Sequence, residues 1–350
     1  PYGGVATTSI WPNKQVSTQA QNNLTEIMVL TLDPDWSIEV VDGKSSREDA
    51  WGGITYAFPT SYYDQSKTKF LEIWVRGNSG RLHVDLGAIS EDYIPNKVLD
   101  TEDKPAAGFT LGNGLLEEKT EDTGVDGLFD EDEFIVNSDG DTIPYGDDRL
   151  LMYKRSKTDP HSDNWKWTEG SSNYRYINGT EESAGDAYGK MPDSEDLNNN
   201  FVVDLNNDYF TVDFSLNDKV EDDYVAGRTQ LDNGKYTGWK LYRIPLNEFR
   251  KASPDGDISW QTIEACRIWV DGVTREDSVM IAKIEMVGNE WEELGIGDGT
   301  DGNFEKKDDV FSISVLNTED NPDTYTPPKG VEGEYDAVNE IQLKEQSLVM

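Results

Sequence analysis

Phe70-Leu-Glu-Ile-Trp-Val-Arg76 and Arg81-Leu-His-Val-Asp-Leu86 decide the fold class. In the first run Leu71, Ile73 and Val75 fall on one face. In the second Leu82, Val84 and Leu86 do so, with Arg81, His83 and Asp85 opposite. Successive side chains of a strand point to opposite faces, so each run predicts a strand with one buried face. The pattern continues outward. Leu24 to Leu32 and Gly53 to Phe58 are candidate strands before the pair. Thr211 to Leu216, Trp239 to Leu246, Ala265 to Val270 and Val279 to Val287 follow it. In the last of these Met280, Ala282, Ile284 and Met286 are expected to share a face. Short alternating runs broken by Gly, Asn, Asp and Pro, with no long amphipathic helix, predict an all-β sandwich.

The strands come from two blocks, 23–90 and 209–290. The organisation expected is an N-terminal extended segment (1–22), a sandwich (23–290) interrupted by an insertion (91–208), and a linker with the start of a following element (291–350). Val310 to Leu316 is a candidate short strand in that last part. Glu91 to Leu150 alone holds 18 acidic residues against 4 basic ones. A loop that long without its own structure is unusual, and something must order it. An internal echo, Glu72-Ile-Trp-Val-Arg-Gly77 and Arg267-Ile-Trp-Val-Asp-Gly272, predicts equivalent strand positions that bury Ile and Val and turn Trp74 and Trp269 to the other face.

The 350 residues carry 69 acidic against 31 basic side chains, a formal charge of −38. Such a field repels phosphates and anionic lipid, which excludes nucleic acid as a partner, and it attracts divalent cations. No apolar run reaches the length of a membrane helix, so no direct membrane insertion by this segment is expected. Ten Trp, 16 Tyr and 11 Phe argue for a folded core despite a hydrophobic content of only 35%. The single cysteine, Cys266, forms no internal disulfide and is expected to be a small buried hydrophobe. Opening at Pro1, the sequence reads as a mature chain or a segment of a longer protein.

The strongest chemical signal is Asp122-Thr-Gly-Val-Asp-Gly-Leu-Phe-Asp-Glu-Asp-Glu133. Laid on a twelve-residue calcium loop, Asp122 is position 1, Asp126 position 5 and Gly127 the sharp turn. Leu128 offers a carbonyl at 7, Asp130 stands at 9 and Glu133 at 12. Position 3 is Gly124, which has no side-chain oxygen. A second stretch, Asp196 to Asp208, places Asp196, Asn198 and Asn200 at positions 1, 3 and 5. Val202 follows at 7 and Asp204 at 9, with Asn207 or Asp208 to close the shell. Phe201 stands where glycine is usual, a position that needs positive φ. Both stretches are expected to bind Ca2+ and to order the insertion. The cluster Asp139, Asp141, Asp147 and Asp148 fits no template and reads as surface.

No nucleophile elbow, phosphate-binding glycine loop or zinc motif is present, and the chain reads as non-enzymatic. Of the two histidines, His83 points outward from a strand and His161 lies in a polar loop. Trp74, Trp269, Trp165 and Trp167 are candidates for a glycan-stacking platform. Their alternative role is to anchor the inserted loops.

Several stretches resemble the SprA/Sov family, the outer-membrane translocon of the type IX secretion system, also tied to gliding motility. They include Ile10-Trp-Pro-Asn13, Trp51-Gly-Gly-Ile54, Asp85-Leu-Gly-Ala-Ile-Ser-Glu-Asp92, Gly238-Trp-Lys-Leu-Tyr-Arg-Ile-Pro245 and Lys344-Glu-Gln-Ser-Leu-Val349. The resemblance implies one segment of a much larger protein at the bacterial outer membrane. Its partners would be other segments or subunits of an envelope complex, and secreted cargo. The sandwich pattern also looks like a galactose-binding-type jelly roll. That supplies the alternative, a calcium-dependent carbohydrate-binding module recognising polysaccharide.

Overall fold

A computed structural model describes residues 4–14, 23–34, 50–59, 63–104, 112–116, 121–137, 139–165, 181, 192–217, 224–231, 233–252, 258–288, 314–318, 325–327, 335–336, 341–342 and 346–349. The strands in chain order are β1 (Val5–Ala6), β2 (Leu24–Thr25), β3 (Met28–Leu32), β4 (Trp51–Ala57), β5 (Thr68–Arg76), β6 (Arg81–Gly87), β7 (Phe134–Val136), β8 (Thr142–Pro144) and β9 (Tyr209–Ser215). They continue as β10 (Val225–Gln230), β11 (Tyr236–Pro245), β12 (Arg250–Ala252), β13 (Ala265–Asp271), β14 (Asp277–Gly288), β15 (Ser314–Asn317), β16 (Tyr335–Asp336), β17 (Ile341–Gln342) and β18 (Gln346–Val349).

Two five-stranded antiparallel sheets face each other, in the orders β10-β11-β5-β14-β3 and β12-β9-β6-β13-β4. The all-β sandwich expected from the alternating runs is the fold observed. Leu71, Ile73 and Val75 of β5 meet Leu82, Val84 and Leu86 of β6 in one core. Val212 and Phe214 of β9 and Ile268 and Val270 of β13 complete its second wall.

The face expected for the last core strand is corrected. Val279 and Ile281 are buried in the core. A bulge between Ile281 and Lys283 then adds one residue and exchanges the faces. Beyond it Ile284 pairs with Ile73 and Met286 with Leu71, both core positions, whereas Met280 and Ala282 pack on the outer side. Since side chains alternate every residue, one extra residue is enough to break the four-residue stripe.

Trp74 turns to the outer face of β5, as expected. It does leave the main core, but it is 2% exposed. Within the stretch read as extended, Thr7–Ile10 form one helical turn that lays Ile10 and Trp11 over Trp74, Trp239 and Leu241. Trp11 meets Trp74 edge-on with ring centroids 5.9 Å apart. The Thr229 hydroxyl fastens the turn by donating to the Ile10 carbonyl at 2.6 Å.

The long insertion leaves and re-enters the sandwich at one point. β6 and β9 are neighbours with Gly87 opposite Tyr209, and Ala88 N donates to the Asp208 carbonyl at 2.9 Å. The insertion holds the β7–β8 hairpin, two short 3-10 turns (Asp130–Asp132 and Asp148–Tyr153) and a few buried apolar residues, among them Leu116, Ile143 and Leu150. The candidate strand near Val310 is β15, paired with β18. The turn-rich stretch from Gly295 to Gly302 lies outside the described residues, as does Trp167.

Candidate metal centre

The Asp122–Glu133 loop turns where its sequence requires. Gly127 has φ +76, and its N–H donates to the Gly124 carbonyl at 2.8 Å. Asp126 Oδ1 accepts from Leu128 N at 3.0 Å, and the Leu128 carbonyl accepts from Gly124 N at 3.3 Å. The chain then makes a 3-10 turn at Asp130 and enters β7 just after Glu133, which is 1% exposed.

A second loop, Asp159-Pro-His-Ser-Asp163, closes over these carboxylates. Glu133 Oε2 accepts from His161 N at 2.9 Å. His161 Nδ1 lies 2.8 Å from Asp126 Oδ2, and its Nε2 lies 2.9 Å from the Phe134 carbonyl. Asp130 accepts from the Asn164 amide at 3.1 and 3.2 Å, and its N–H points to Glu181 Oε1 at 3.4 Å. A Cβ on Gly124 would run into the Asp163 carboxylate. Asp163 of the other loop therefore sets its carboxylate beside position 3, in the space that Gly124 leaves open.

Three groups of potential ligand atoms each lie within 4.8 Å of one another: Asp126, His161 and Asp163; Asp130, Glu133 and Asp159; and Glu133, Asp163 and Glu181. Glu133 Oε1 and Glu181 Oε2 are buried without a hydrogen-bond partner. Nearby, Glu102 is fully buried, with Oε2 accepting from Asp193 N at 2.7 Å and Oε1 left over. Burial pushes the carboxyls of Glu102, Glu133 and Glu181 up to about 8. Neighbouring acids add to this: Asp193 and Asp122 at Glu102, Asp163 and Asp159 at Glu133, Asp130 at Glu181. Asp159, Asp163 and Asp193 are raised for the same first reason. At His161 burial opposes the charge, but Asp126, the Phe134 carbonyl and Glu133 outweigh it and lift the imidazole to about 9. Carboxylates crowded this way disfavour their own ionisation, and a divalent cation among them reverses that preference.

Of the first calcium-loop set, Asp126, Asp130 and Glu133 enter the cluster. Asp122 instead faces Glu102, Asp193 and Glu181, whose carboxyls its charge raises. Asp159, His161, Asp163 and Glu181 are not among the ligands expected from the sequence. The spacing Asp159–His161–Asp163 was the one local signal for them, and Glu181 had none.

The second loop is built differently. Asp196 accepts from Asn200 N and Phe201 N at 3.0 and 2.6 Å, and Asp204 Oδ2 accepts from the Asn198 and Asn200 amides at 2.7 and 3.0 Å. Val202 N donates to Asn200 Oδ1 at 2.8 Å. Buried Glu91, just beyond β6, holds both arms through Leu197 N and Asp204 N. Asn207 turns away toward Ser90 N, and the Asp208 carbonyl accepts from Ala88 N. Phe201 adopts φ +66 with its ring 77% exposed, the glycine-like turn that position demands. Phe201→Gly is expected to stabilise the chain by about 1 kcal/mol, because the left-handed backbone strains a residue with a Cβ and the exposed ring protects little. Thermal unfolding of the variant checks this, and a lower melting temperature would contradict it.

The outer face of the β6–β13–β4 sheet carries the other aromatic group. Trp269 stacks on His83 with centroids 3.6 Å apart and meets Trp51 edge-on at 6.1 Å. Among the described residues Trp51 is the indole with most exposure, at 58%. Trp165 is half-buried and donates its backbone N–H to the Glu181 carbonyl. Cys266 packs against the core, where burial pushes its thiol up to about 12. Asp147 caps the 3-10 turn through Arg149 N, and Asp148 pairs with Lys157, as surface acids do.

Among the described residues no helix is long and apolar enough to cross a membrane. No curated protein matches the chain. Residues 131–350 match the SprA N-terminal family, described as motility related/secretion protein. The match spans more than half of the sequence, from the end of the Asp122–Glu133 loop through β9–β14 to the closing strands, and the chain belongs to this family of motility-related and secretion proteins.

Proposed function

We propose that this chain is a non-enzymatic structural and interaction segment of an outer-membrane protein-secretion translocon of the type IX kind, linked to gliding motility, with calcium ordering its acidic insertion. Family membership supports the secretion role, and the segment would dock against other parts of an envelope complex and meet secreted cargo. The observation that carries the calcium reading is the pair of buried carboxylate oxygens Glu133 Oε1 and Glu181 Oε2, which no donor satisfies, with Asp130 and Asp159 grouped about Glu133 and Asp163 grouped with both glutamates. Calcium takes six to eight hard oxygens in a flexible shell, and these residues come from loops with little apolar surface to hold them together. Asp196, Asn198, Asn200 and Asp204 would take a further ion once the two amides turn their oxygens inward. Binding at such sites is coupled to folding, because the ligand set does not exist in the unfolded chain.

The test is thermal unfolding with calcium and then with excess chelator, read beside elemental analysis. A calcium-dependent rise of several degrees with at least one ion per chain is the expected result. An unchanged melting temperature and no metal would sink it. The exposed indole of Trp51 against Trp269 favours a second reading, a calcium-dependent carbohydrate-binding module. Burial of Trp74 and the stacking of His83 on Trp269 reduce the aromatic surface that a polysaccharide could use. Binding to an insoluble polysaccharide that disappears in Trp51→Ala would support that reading.

A further inference from the structure

We infer that the insertion holds a second kind of metal site beside the calcium site, a transition-ion centre ligated by His161 Nδ1 with Asp126, Asp163 and Glu133. This deepens the calcium reading, since both sites share the same cluster, but it rests on different atoms. The acids alone would suit a hard cation, and the imidazole is what changes the chemistry. Calcium and magnesium take oxygen, whereas imidazole suits zinc and its neighbours in the first transition row.

Three observations converge on one point in space. His161 Nε2 donates to the Phe134 carbonyl at 2.9 Å, so a metal at Nδ1 would displace only the proton that this nitrogen shares with Asp126 Oδ2, and the ring would keep its Nε2–H. A backbone carbonyl on the far nitrogen is the usual outer support of a metal-bound histidine. Asp126 Oδ2 stands 2.8 Å from Nδ1, and an oxygen of Asp163 completes a group within 4.8 Å. Glu133 Oε1, on a side chain with no exposure, lies 3.7 Å from the same Nδ1 and has no hydrogen-bond partner. Ligands about 2.1 Å from a tetrahedral centre are about 3.4 Å apart. The separations of 2.8 and 3.7 Å bracket that value.

The arrangement also explains why Gly124 occupies loop position 3. Any side chain there would displace the Asp163 carboxylate, which this centre requires. Asp130 and Asp159, which group with Glu133 and not with His161, remain for calcium. Glu133 belongs to both ligand sets, and two divalent cations would offset four of the six negative charges of Asp126, Asp130, Glu133, Asp159, Asp163 and Glu181.

The chain contains only two histidines, which makes the test direct. The tag-free 350-residue chain, saturated with calcium, is titrated with zinc, and the imidazole nitrogens are followed by NMR. The expected result is a shift of one ring, His161, that saturates at one zinc per chain, while His83 stays in place. Cobalt(II) in the same protein should give visible absorption bands of a nitrogen-containing site. His161→Gln should weaken zinc at least about 100-fold, since even the loss of an outer support costs about 10–100-fold. The same variant should keep the calcium-dependent rise in melting temperature. No imidazole shift in the wild-type chain, or zinc binding equal in His161→Gln, overturns the inference and leaves His161 as an ion-pair partner of Asp126. A zinc-dependent shift without any calcium response would reject the calcium reading and keep this one.

Discussion

Asp85→Ala is expected to lower stability by about 3–5 kcal/mol, the cost of removing one partner from a buried ionic group. Asp85 lies on β6 and is 1% exposed. Its Oδ1 accepts from the Thr211 hydroxyl of β9 at 2.6 Å. Its Oδ2 accepts from Arg267 Nε at 2.8 Å and from the Trp269 indole N–H at 2.9 Å, both on β13. One carboxylate thus ties three adjacent strands on the outer face of their sheet. Alanine would leave the indole N–H and the Arg267 guanidinium without this acceptor, and the full desolvation of those donors would go uncompensated. Asp85→Asn keeps an oxygen for Thr211 but loses the charge that Arg267 faces, so its cost should be smaller. Asp139, exposed on the β7–β8 hairpin, is the control, and Asp139→Ala should stay within about 0.5 kcal/mol. Urea unfolding of the three variants measures this. A loss in Asp85→Ala no greater than in Asp139→Ala would mean that the three bonds only mark the surface of the sheet and do not hold it.

Asp85 also shows where sequence reading stops. Alternation puts it correctly on the face opposite Leu82, Val84 and Leu86, but alternation cannot say whether that face is covered. Strands with one face in the core were legible because period-two burial writes itself into the residues, as in β5, β6, β9 and β13. β10 and β12 carry no such signal, and both are edge strands. An edge strand has a neighbour on one side only, and Val225-Ala-Gly-Arg-Thr-Gln230 has little apolar alternation to reveal it. In β14 the bulge broke a pattern that looked regular. Trp74 was assigned to the outer face, which is right, yet its cover comes from Ile10 and Trp11, more than sixty positions away.

The acidic cluster divides along the same line. Gly127, Asp126, Asp130 and Glu133 were legible because a calcium loop is a local template with fixed spacings. Asp159, His161, Asp163 and Glu181 reach the same point from other loops, and no local spacing links them to it. The Gly124 departure from the template was visible in the sequence. Its meaning, room for an acid from elsewhere, needed the fold.

The remaining large effect is on pH, and it should change sign with metal. Without a cation, Glu102, Glu133 and Glu181 have carboxyls raised from 4.5 to about 8, first by burial and then by neighbouring acids. Below pH 4.5 these groups are neutral in both folded and unfolded chains, and their burial is tolerated. Between pH 4.5 and about 8 the unfolded chain ionises them while the folded chain resists, so the folded chain binds more protons. Stability then falls as pH rises through that window. The chelated protein should therefore be more stable at pH 5.5 than at pH 8.5, by on the order of several kcal/mol for the three groups together. With saturating calcium the carboxylates must be ionised to coordinate, and protons compete with the ion. The order of the two pH values should then reverse. Thermal unfolding at both pH values, with calcium and with chelator, gives four melting temperatures. Crossed trends require carboxylates that are buried, crowded and matched to a cation. If the chelated protein is as stable at pH 8.5 as at pH 5.5, these acids already have water or a donor within reach, and no cation is needed to hold the insertion together.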